Sequence, residues 1–480
     1  MYIKFILPAL IEAHAKYFRP IKYSLFPPLG LATLAGFLKD SDKAKIVDEH
    51  VQKIGLDDCP DIVAIETYIT SAKRAYRIAD AYRNRGIYVV MGGLHITACP
   101  NESLHHADTI VLGPAEEAWP RFLTDFRNRN PKRIYRSTSR ELSSLPPLRR
   151  DLINRKNYLV PNSIVVSRGC PHSCDFCYSN SFFRGGSHFY TYPVEKALSE
   201  IQQLPGRHLF FLDDNIFGNP AFTASLFKGM VGMNRIWQGA ATVRSILNTK
   251  LLDLAVQSGL RSLFIGFESL NQNAMHRHQK RHNCVSEYDT AVKMLHDRGV
   301  MINASFVFGL DGDTPSVFDT TTRWAISKGI ETATFHLLTP YPGTVLYRKY
   351  AASNRILHHD WDLYDTRHAV FSHPTMSKDT MEQGYARSYE TFYKWVNIIR
   401  SARTKSTLAQ KLRHITYVGA WKKFDPLWSV LIKLRGLKLA VPSLEKVLNG
   451  TCQPTPYRSS HSRRPQLSQN VLETNRVTSI

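Results

Sequence analysis

The sequence lacks the features that would place it in a membrane or outside the cell. It has no run of about 18 uncharged apolar residues, the length that a membrane-spanning helix needs. Residues 1–8 are too few and too strand-like for a secretory signal peptide. Only 7 of the 480 residues are cysteine, too few for a disulfide-stabilised secreted scaffold. We therefore expect a cytoplasmic protein in a reducing compartment.

Acidic residues are scarce, since 40 Asp and Glu face 62 Lys and Arg and leave a net charge of +22. The last 80 residues hold 14 of the cations and only 3 of the acids. In that stretch apolar residues alternate with cations: Trp421, Trp428, Leu431, Leu434 and Leu437 with Lys422, Lys423, Lys433, Arg435 and Lys438. This pattern favours peripheral association with an anionic membrane surface, with a solvated helical appendage as the alternative. Nucleic acid is not an expected partner, because no aromatic-rich binding module is present.

Cysteine is clustered at one place in the chain. Cys170, Cys174 and Cys177 form a C-x3-C-x2-C loop after the strand-like residues 163–167, while Cys59, Cys99, Cys284 and Cys452 stand alone. Three thiolates on one loop can hold three irons of a [4Fe–4S] cluster, which leaves the fourth iron open for chemistry. A zinc site with His172 as fourth ligand is the alternative. A disulfide is disfavoured by the odd number of thiols.

The cysteine loop resembles the signature of the radical S-adenosylmethionine (SAM) superfamily, with Phe176 at its aromatic position. The resemblance implies that the open iron binds the amino and carboxylate groups of SAM. It also implies that an electron passed through the cluster cleaves SAM to a 5′-deoxyadenosyl radical. An external electron donor of the flavodoxin or ferredoxin type is then required.

Residues 1–135 alternate short apolar strands with helices, which predicts an α/β domain with a doubly wound parallel sheet. Ligands of such sheets bind beyond the carboxyl ends of the strands. The candidate binding residues at those ends are Thr70, Ser71, Gly92, Gly93 and Gly113. No G-x-G-x-x-G fingerprint occurs in these residues, so a nicotinamide or flavin dinucleotide is not expected.

This domain resembles the Rossmann-type cobalamin-binding domain that precedes many radical SAM domains. The matching segments are Pro27-Pro-Leu-Gly-Leu31, Met91-Gly-Gly-Leu-His95 and Val111-Leu-Gly-Pro-Ala-Glu-Glu117. The D-x-H-x-x-G motif that supplies a histidine to cobalt is absent, because no glycine stands three residues after His50. We therefore expect base-off cobalamin without a histidine ligand, and an ordinary surface position for His50. A flavodoxin-like domain that binds nothing is the alternative.

Residues 161–375 repeat the strand–helix alternation, with polar clusters directly after several strands, as on the top face of a (β/α) barrel. The resemblance implies a partial six-stranded radical SAM barrel. Asp213 or Asp214 would meet the ammonium group of SAM, because charge-assisted hydrogen bonds are strong. Glu268 and Ser269 would contact its ribose or carboxylate, and Arg244 could pair with the carboxylate in bidentate fashion. Taken singly, such acidic residues are more often caps or turn residues, and Arg244 could equally be a surface arginine.

The sequence thus predicts five segments: a cobalamin-binding-like domain (1–135), a linker (136–160), a radical SAM domain (161–375), a basic helical region (376–450) and a disordered tail (451–480). The resemblance extends to the class that contains hopanoid methylases and magnesium-protoporphyrin oxidative cyclases. It implies methyl transfer from cobalamin to an unactivated carbon or phosphorus of a small-molecule or lipid-like substrate. The alternatives are radical oxidation or cyclisation without methyl transfer, and a non-catalytic iron–sulfur sensor.

Overall fold

Two six-stranded parallel sheets organise the computed structural model, which describes residues 1–10, 25–422 and 440–449. The first sheet contains β1 (Tyr2–Leu7), β2 (Lys43–Asp48), β3 (Ile62–Glu66), β4 (Tyr88–Gly92), β5 (Thr109–Leu112) and β6 (Ile134–Arg136). The later strands are β7 (Ser163–Ile164), β8 (Ser167–Gly169), β9 (Phe189–Thr191), β10 (His208–Phe211), β11 (Ile236–Ala241), β12 (Leu260–Glu268), β13 (Met301–Phe308) and β14 (Thr332–Leu337).

Eighteen α-helices lie in the described ranges. Those of the first half are α1 (Leu29–Ala35), α2 (Ala72–Arg83), α3 (Leu94–Ala98), α4 (Pro100–Ser103), α5 (Ala118–Arg127), α6 (Ser179–Phe182), α7 (Val194–Gln203), α8 (Pro220–Met230) and α9 (Val243–Ile246). Those of the second half are α10 (Thr249–Gln257), α11 (Gln272–Arg277), α12 (Tyr288–Asp297), α13 (Ser316–Ser327), α14 (Val345–Ala352), α15 (Lys378–Phe392), α16 (Trp395–Ala402), α17 (Leu408–Lys422) and α18 (Val441–Asn449).

The first sheet has the strand order β2-β1-β3-β4-β5-β6, all parallel, which confirms the doubly wound prediction. Its central strands are buried on both faces, so they read as continuous apolar runs. On β1, Phe5 packs towards Trp119 of α5, whereas Ile6 lies in the cluster formed with α2. The order reverses between β1 and β3, and ligands of such sheets bind at this switch point.

The second sheet has the order β7-β10-β11-β12-β13-β14, also all parallel. Six strands in sequential order with helices between them form the predicted partial (β/α) barrel. The strand-like run 163–167 is divided, because β7 joins this sheet while β8 pairs antiparallel with β9. β11 was not predicted, since Gln238 and Gly239 interrupt its apolar run. The short edge strand β6 also escaped prediction.

The chain returns to the first domain after the barrel. Trp361, Tyr364 and Val370 follow β14, yet they are buried in the apolar cluster of β3, β4 and α2. Lys73 of α2 reinforces this contact with ion pairs to Asp360 (2.5 Å) and Asp362 (3.3 Å). We call residues 356–371 the returning segment, because they complete a core that the first 135 residues leave open.

The described C-terminal region is helical, with α15, α16, α17 and α18 in succession. No helix in the described ranges has both the length and the apolar character needed to cross a bilayer. The predicted amphipathic stretch falls outside the description: Trp428, Leu431, Leu434, Leu437, Lys423, Lys433, Arg435, Lys438 and the 451–480 tail, together with the side chains of Trp421 and Lys422.

Candidate functional site

The three clustered cysteines lie on a loop that leaves β8 at the carboxyl side of the second sheet. Gly169 precedes Cys170 with φ +75°, and a Cβ at Gly169 would lie 2.1 Å from the carbonyl oxygen of His188. Glycine is therefore required at this position. The amide of Cys170 donates to the same carbonyl (3.1 Å), so the loop is pinned to the β8–β9 hairpin where the thiols begin.

A buried carboxylate holds β8 in place. Asp213 follows β10 and accepts hydrogen bonds from the Val166 amide (3.2 Å) and from the Ser167 amide and hydroxyl (both 2.5 Å). Burial raises the pKa of Asp213 to about 7, while these donors stabilise its charged form. All of these contacts are within the protein. Its predicted role as a SAM contact stays a prediction, and its observed role is to anchor the cysteine strand.

The spacing of the thiols does not suit a single zinc ion. Zinc ligands lie about 2.0–2.3 Å from the metal and hence within about 4 Å of one another. In the described residues, only one group of three or more potential metal-ligand atoms has all its members within 4.8 Å of one another. That group includes neither these thiols nor His172. The ring of His172 instead stacks on His282 at 3.6 Å. Three free thiols without a fourth cysteine fit a larger cluster held at three corners.

The thiols are buried deeply enough to favour their protonated form without a metal. Burial raises the pKa of Cys174 to about 11 and that of Cys177 to about 12. Burial also raises the pKa of Cys170. Thiolates at these positions therefore need a nearby positive charge.

Sequence reasoning missed the segment 278–283, which covers the cysteine loop. His278 is completely buried and its Nδ1 lies 3.1 Å from Asp175, between the second and third cysteines. Its ring also meets Phe176 edge-on at 6.2 Å. His282 supplies the stack on His172. Two contacts four residues apart thus fix both halves of the cysteine loop.

Between those histidines, Lys280 places a buried ammonium beside the thiols. It is 7% exposed and forms an ion pair with Glu268 at the end of β12. Burial lowers the pKa of Lys280, but the charges of Glu268 and Cys174 outweigh it and raise that pKa overall. Glu268 has φ +64°, which is rare for a residue with a side chain, and it lies where the pairing of β12 with β13 shifts register.

The other residues predicted to bind SAM differ in their exposure to solvent. Asp214 is exposed and accepts a hydrogen bond from the hydroxyl of Tyr178 (2.9 Å), directly after the last cysteine. Although its side chain reaches solvent, the surrounding protein partly desolvates the carboxylate and so raises the pKa of Asp214. Arg244 is exposed on α9. The pKa of His172 is lowered mainly by burial and by the charge of Lys280, and the charge of Arg244 lowers it further. Ser269 is buried, and its Oγ accepts from the Asn271 amide at 3.0 Å.

A cavity of about 140 Å³ lies at the switch point of the first sheet, and we call it the switch-point cavity. Three of the predicted glycines line it, namely Gly92, Gly93 and Gly113. Thr70 and Ser71 are not part of its lining, and the Ser71 hydroxyl donates to the Tyr68 carbonyl at 3.2 Å. Glu66, at the end of β3, lines the cavity and was not predicted. Its position at the carboxyl end of a strand was the available signal.

The cavity is walled on its other side by the second domain. The lining residues from that domain are Arg168, Phe182, Phe183 and Tyr190, which flank the cysteine loop. Arg168 of β8 also forms an ion pair with Glu116, which follows β5, at 3.0 Å. A ligand in this cavity would therefore contact β8, the strand that leads into Cys170.

His50 is not the surface residue that the sequence suggested. It is 8% exposed, with Nδ1 2.8 Å from Asp48 Oδ1 and Nε2 3.4 Å from the Leu10 amide. Both ring nitrogens are engaged, so His50 is a packed turn residue at the end of β2.

Two family models match separate parts of the chain. The B12 binding domain matches residues 23–123 and the Radical SAM superfamily matches residues 164–325. The first match spans the switch-point cavity except its second-domain wall, and the second begins at β7 and includes all three clustered cysteines.

Similar proteins include a bacteriochlorophyllide d C-12(1)-methyltransferase of Chlorobaculum tepidum, 28% identical over 72% of this chain and 77% of the relative. An anaerobic magnesium-protoporphyrin IX monomethyl ester cyclase of Rubrivivax gelatinosus is 26% identical over 75% and 71% of the two chains. The solved structure of the radical SAM methyltransferase TsrM from Kitasatospora setae superposes with a TM-score of 0.63 at 12% identity, covering 90% of this chain and 99% of that chain. That likeness shows a shared fold.

The anchoring role of Asp213 can be tested by substitution. Asp213→Ala leaves the Val166 and Ser167 donors without their acceptor, at a cost of about 1–3 kcal/mol each if they stay buried. We expect the anaerobically reconstituted variant to hold well under half of the wild-type iron, measured by iron and sulfide analysis. Asp214→Ala, which removes an exposed carboxylate, is the control and should keep full iron content. Wild-type cluster content in Asp213→Ala would contradict the role.

The cavity also permits a binding test. A Cβ on Gly92 would meet nothing closer than 3.6 Å, so Gly92→Leu should fold and fill the cavity with its side chain. We expect full-length protein to bind hydroxocobalamin in a base-off state and Gly92→Leu to lose this binding, measured by absorption spectroscopy. Gly55→Leu, in open space, is the matched control. His50→Ala should leave the spectrum unchanged; a nitrogen-ligated spectrum lost in that variant would overturn the assignment.

Proposed function

Because this chain joins a B12-binding domain to a radical SAM domain, and so carries cobalamin, SAM and a [4Fe–4S] cluster as cofactors, we propose that it is a methyltransferase acting on an unactivated carbon. With these groups bound, the cluster and SAM supply a radical that removes hydrogen from the substrate, and cobalamin carries the methyl group. A phosphorus centre is a second possible acceptor.

One observation supports methyl transfer most directly: the switch-point cavity and the cysteine loop share a wall. Arg168 lines the cavity, and Cys170 follows two residues later on the same chain segment. A methyl carrier and a radical source must both reach one substrate atom, so their sites must open onto one cleft. Asp214 and Arg244 are the exposed charged groups of the predicted SAM site, and they are available to bind its ammonium and carboxylate.

Lys280 joins the proposed SAM site although the sequence did not point to it. Its ammonium has three donors, and Glu268 is the hydrogen-bond partner found for it in the described residues. The remaining donors are available to an anionic group beside the thiols, such as the cluster or the carboxylate of SAM. An external electron donor of the flavodoxin or ferredoxin type completes the proposed system.

The proposed substrate is a ring-containing small molecule, and a tetrapyrrole is the first probe. Two similar proteins are named as acting on bacteriochlorophyllide and on magnesium-protoporphyrin ester. The second of these names also keeps the alternative function open, since a cyclase oxidises its substrate without retaining a methyl group. A sensor without turnover is the remaining alternative.

The products of turnover separate these functions. Methyl transfer by this route converts one SAM to S-adenosylhomocysteine and a second to 5′-deoxyadenosine, so we expect equal amounts of both with bacteriochlorophyllide d as probe, measured by liquid chromatography and mass spectrometry. Cys174→Ala should yield neither product. Gly92→Leu should still yield 5′-deoxyadenosine but little S-adenosylhomocysteine.

Wild-type protein that released 5′-deoxyadenosine alone, with cobalamin bound, would favour the cyclase class. A reduced, intact cluster that released neither product under any condition would favour the sensor.

We further propose that the C-terminal helices dock on an anionic membrane surface, where a lipid-like substrate would lie. Five apolar side chains of α16 and α17 are unusually exposed: Trp395 (46%), Val396 (61%), Ile399 (46%), Leu408 (72%) and Leu412 (57%). The exposed cations Lys394, Arg400 and Arg403 lie among them. Apolar groups flanked by cations are typical of interfacial helices.

This surface predicts two separable contributions to vesicle binding. Each cation should contribute about 1 kcal/mol that weakens with salt, whereas the apolar groups should contribute at any ionic strength. In sedimentation with anionic vesicles, Arg400→Glu/Arg403→Glu should lower binding at low salt. Val396→Ser/Ile399→Ser/Leu408→Ser/Leu412→Ser should lower it at low and high salt alike. Leu357→Ser, which changes an equally exposed leucine elsewhere (49%), is the control. Undiminished binding by the fourfold variant would contradict the proposal.

A further inference from the structure

A group of metal-ligand side chains lies in the first domain, in the chain segment that directly follows Gly92 and Gly93. His95 of α3, Cys99 between α3 and α4, and Glu102 of α4 place their ligand atoms within 4.8 Å of one another. His95 Nε2 and Glu102 Oε1 are 3.5 Å apart. Two atoms each about 2.0–2.2 Å from a tetrahedral ion lie at about this separation.

The donor types are those that zinc takes in proteins. Thiolate, imidazole and carboxylate are all zinc ligands, and a borderline metal suits this mixture better than the hard ions calcium and magnesium. Tyr76 offers a fourth donor atom, an oxygen, because its hydroxyl lies 3.0 Å from His95 Nε2. The group therefore offers three ligands, and the hydroxyl of Tyr76 or a water could supply the fourth.

The carboxylate is oriented by an outer contact. The indole nitrogen of Trp361 donates to both oxygens of Glu102, at 3.1 and 3.2 Å. Metal-binding carboxylates commonly have such partners, which orient the ligand. Trp361 belongs to the returning segment, so the ligand group lies at the contact between that segment and the first domain.

The ring of His95 is completely buried, and its Nε2 is the nitrogen that faces Glu102 and Tyr76. Within the described ranges no Lys or Arg forms an ion pair with Glu102, whose side-chain partners are His95, Trp361 and Tyr76. Burial and the charge of Glu102 together raise the pKa of Cys99 to about 12. A metal ion at this point would contact both the Cys99 sulfur and the Glu102 carboxylate.

We propose that His95, Cys99 and Glu102 bind a zinc ion that is separate from the iron–sulfur cluster. On binding, the Cys99 thiol releases its proton to solvent and its sulfur bonds to the metal. The role is structural, because α3 and α4 have only five and four residues. Helices this short are unstable alone, and a metal that joins them stabilises the loop after Gly92 and Gly93.

The test uses the full-length chain without its iron. Cys170→Ala/Cys174→Ala/Cys177→Ala removes the cluster thiols, and the protein is purified from zinc-supplemented medium and dialysed against a weak chelator. We expect about one zinc per chain by mass spectrometric metal analysis. Adding Cys99→Ser should remove the zinc, whereas adding Cys59→Ser, at an exposed single cysteine, should leave it. Trp361→Phe should weaken binding about 10–100-fold, as loss of an outer partner does.

Cobalt replacement distinguishes a ligand from a residue that only supports the fold. Co²⁺ bound to the zinc-free triple variant should show a near-ultraviolet thiolate-to-cobalt absorption band. That band should disappear with Cys99→Ser and persist with Cys59→Ser. No zinc in the triple variant, or zinc and the cobalt band surviving Cys99→Ser, would overturn the site. Neither outcome bears on the proposed methyl transfer, because the cluster is absent throughout.

Discussion

The position of the cysteine loop depends on one buried group, the carboxylate of Asp213. Taking a charge out of water is costly unless hydrogen bonds replace the lost solvent, and here the donors all come from Val166 and Ser167. The hydrogen bonds therefore have two effects. They stabilise the buried charge of Asp213, and they fix the position of β8. Because β8 has only three residues, its position sets the start of the cysteine loop.

The same short strand relates the two cofactor sites. Arg168 lines the switch-point cavity and pairs with Glu116, and Cys170 begins the cluster loop two residues later. The separation between the two sites is thus set largely by covalent geometry and by one hairpin. A domain interface held only by side-chain packing would allow more variation. Substrate chemistry that needs both cofactors at one atom benefits from this rigidity.

The sequence was sufficient where a signal is local. Buried parallel strands are continuous apolar runs, and the strand-like runs at residues 2–7, 62–66, 109–112 and 332–337 coincide with β1, β3, β5 and β14. The cysteine spacing likewise identifies its loop. Signals that depend on distant partners were not readable. His278 meets Asp175 across 103 residues, and nothing in the polar stretch around it indicates that pairing. For Asp213, the sequence showed that the residue follows a strand. It did not show that the side chain is buried and bonded to Val166 and Ser167.

The returning segment has a consequence for how the chain folds during synthesis. The first domain is made first, yet Trp361, Tyr364 and Val370 of its core emerge from the ribosome more than 200 residues after β6. At roughly 5–20 residues per second, translation leaves that core incomplete for roughly 10–50 seconds. During that interval the exposed apolar surface of β3, β4 and α2 is a natural target for chaperones. The domain that begins first is therefore closed only after the barrel has been translated.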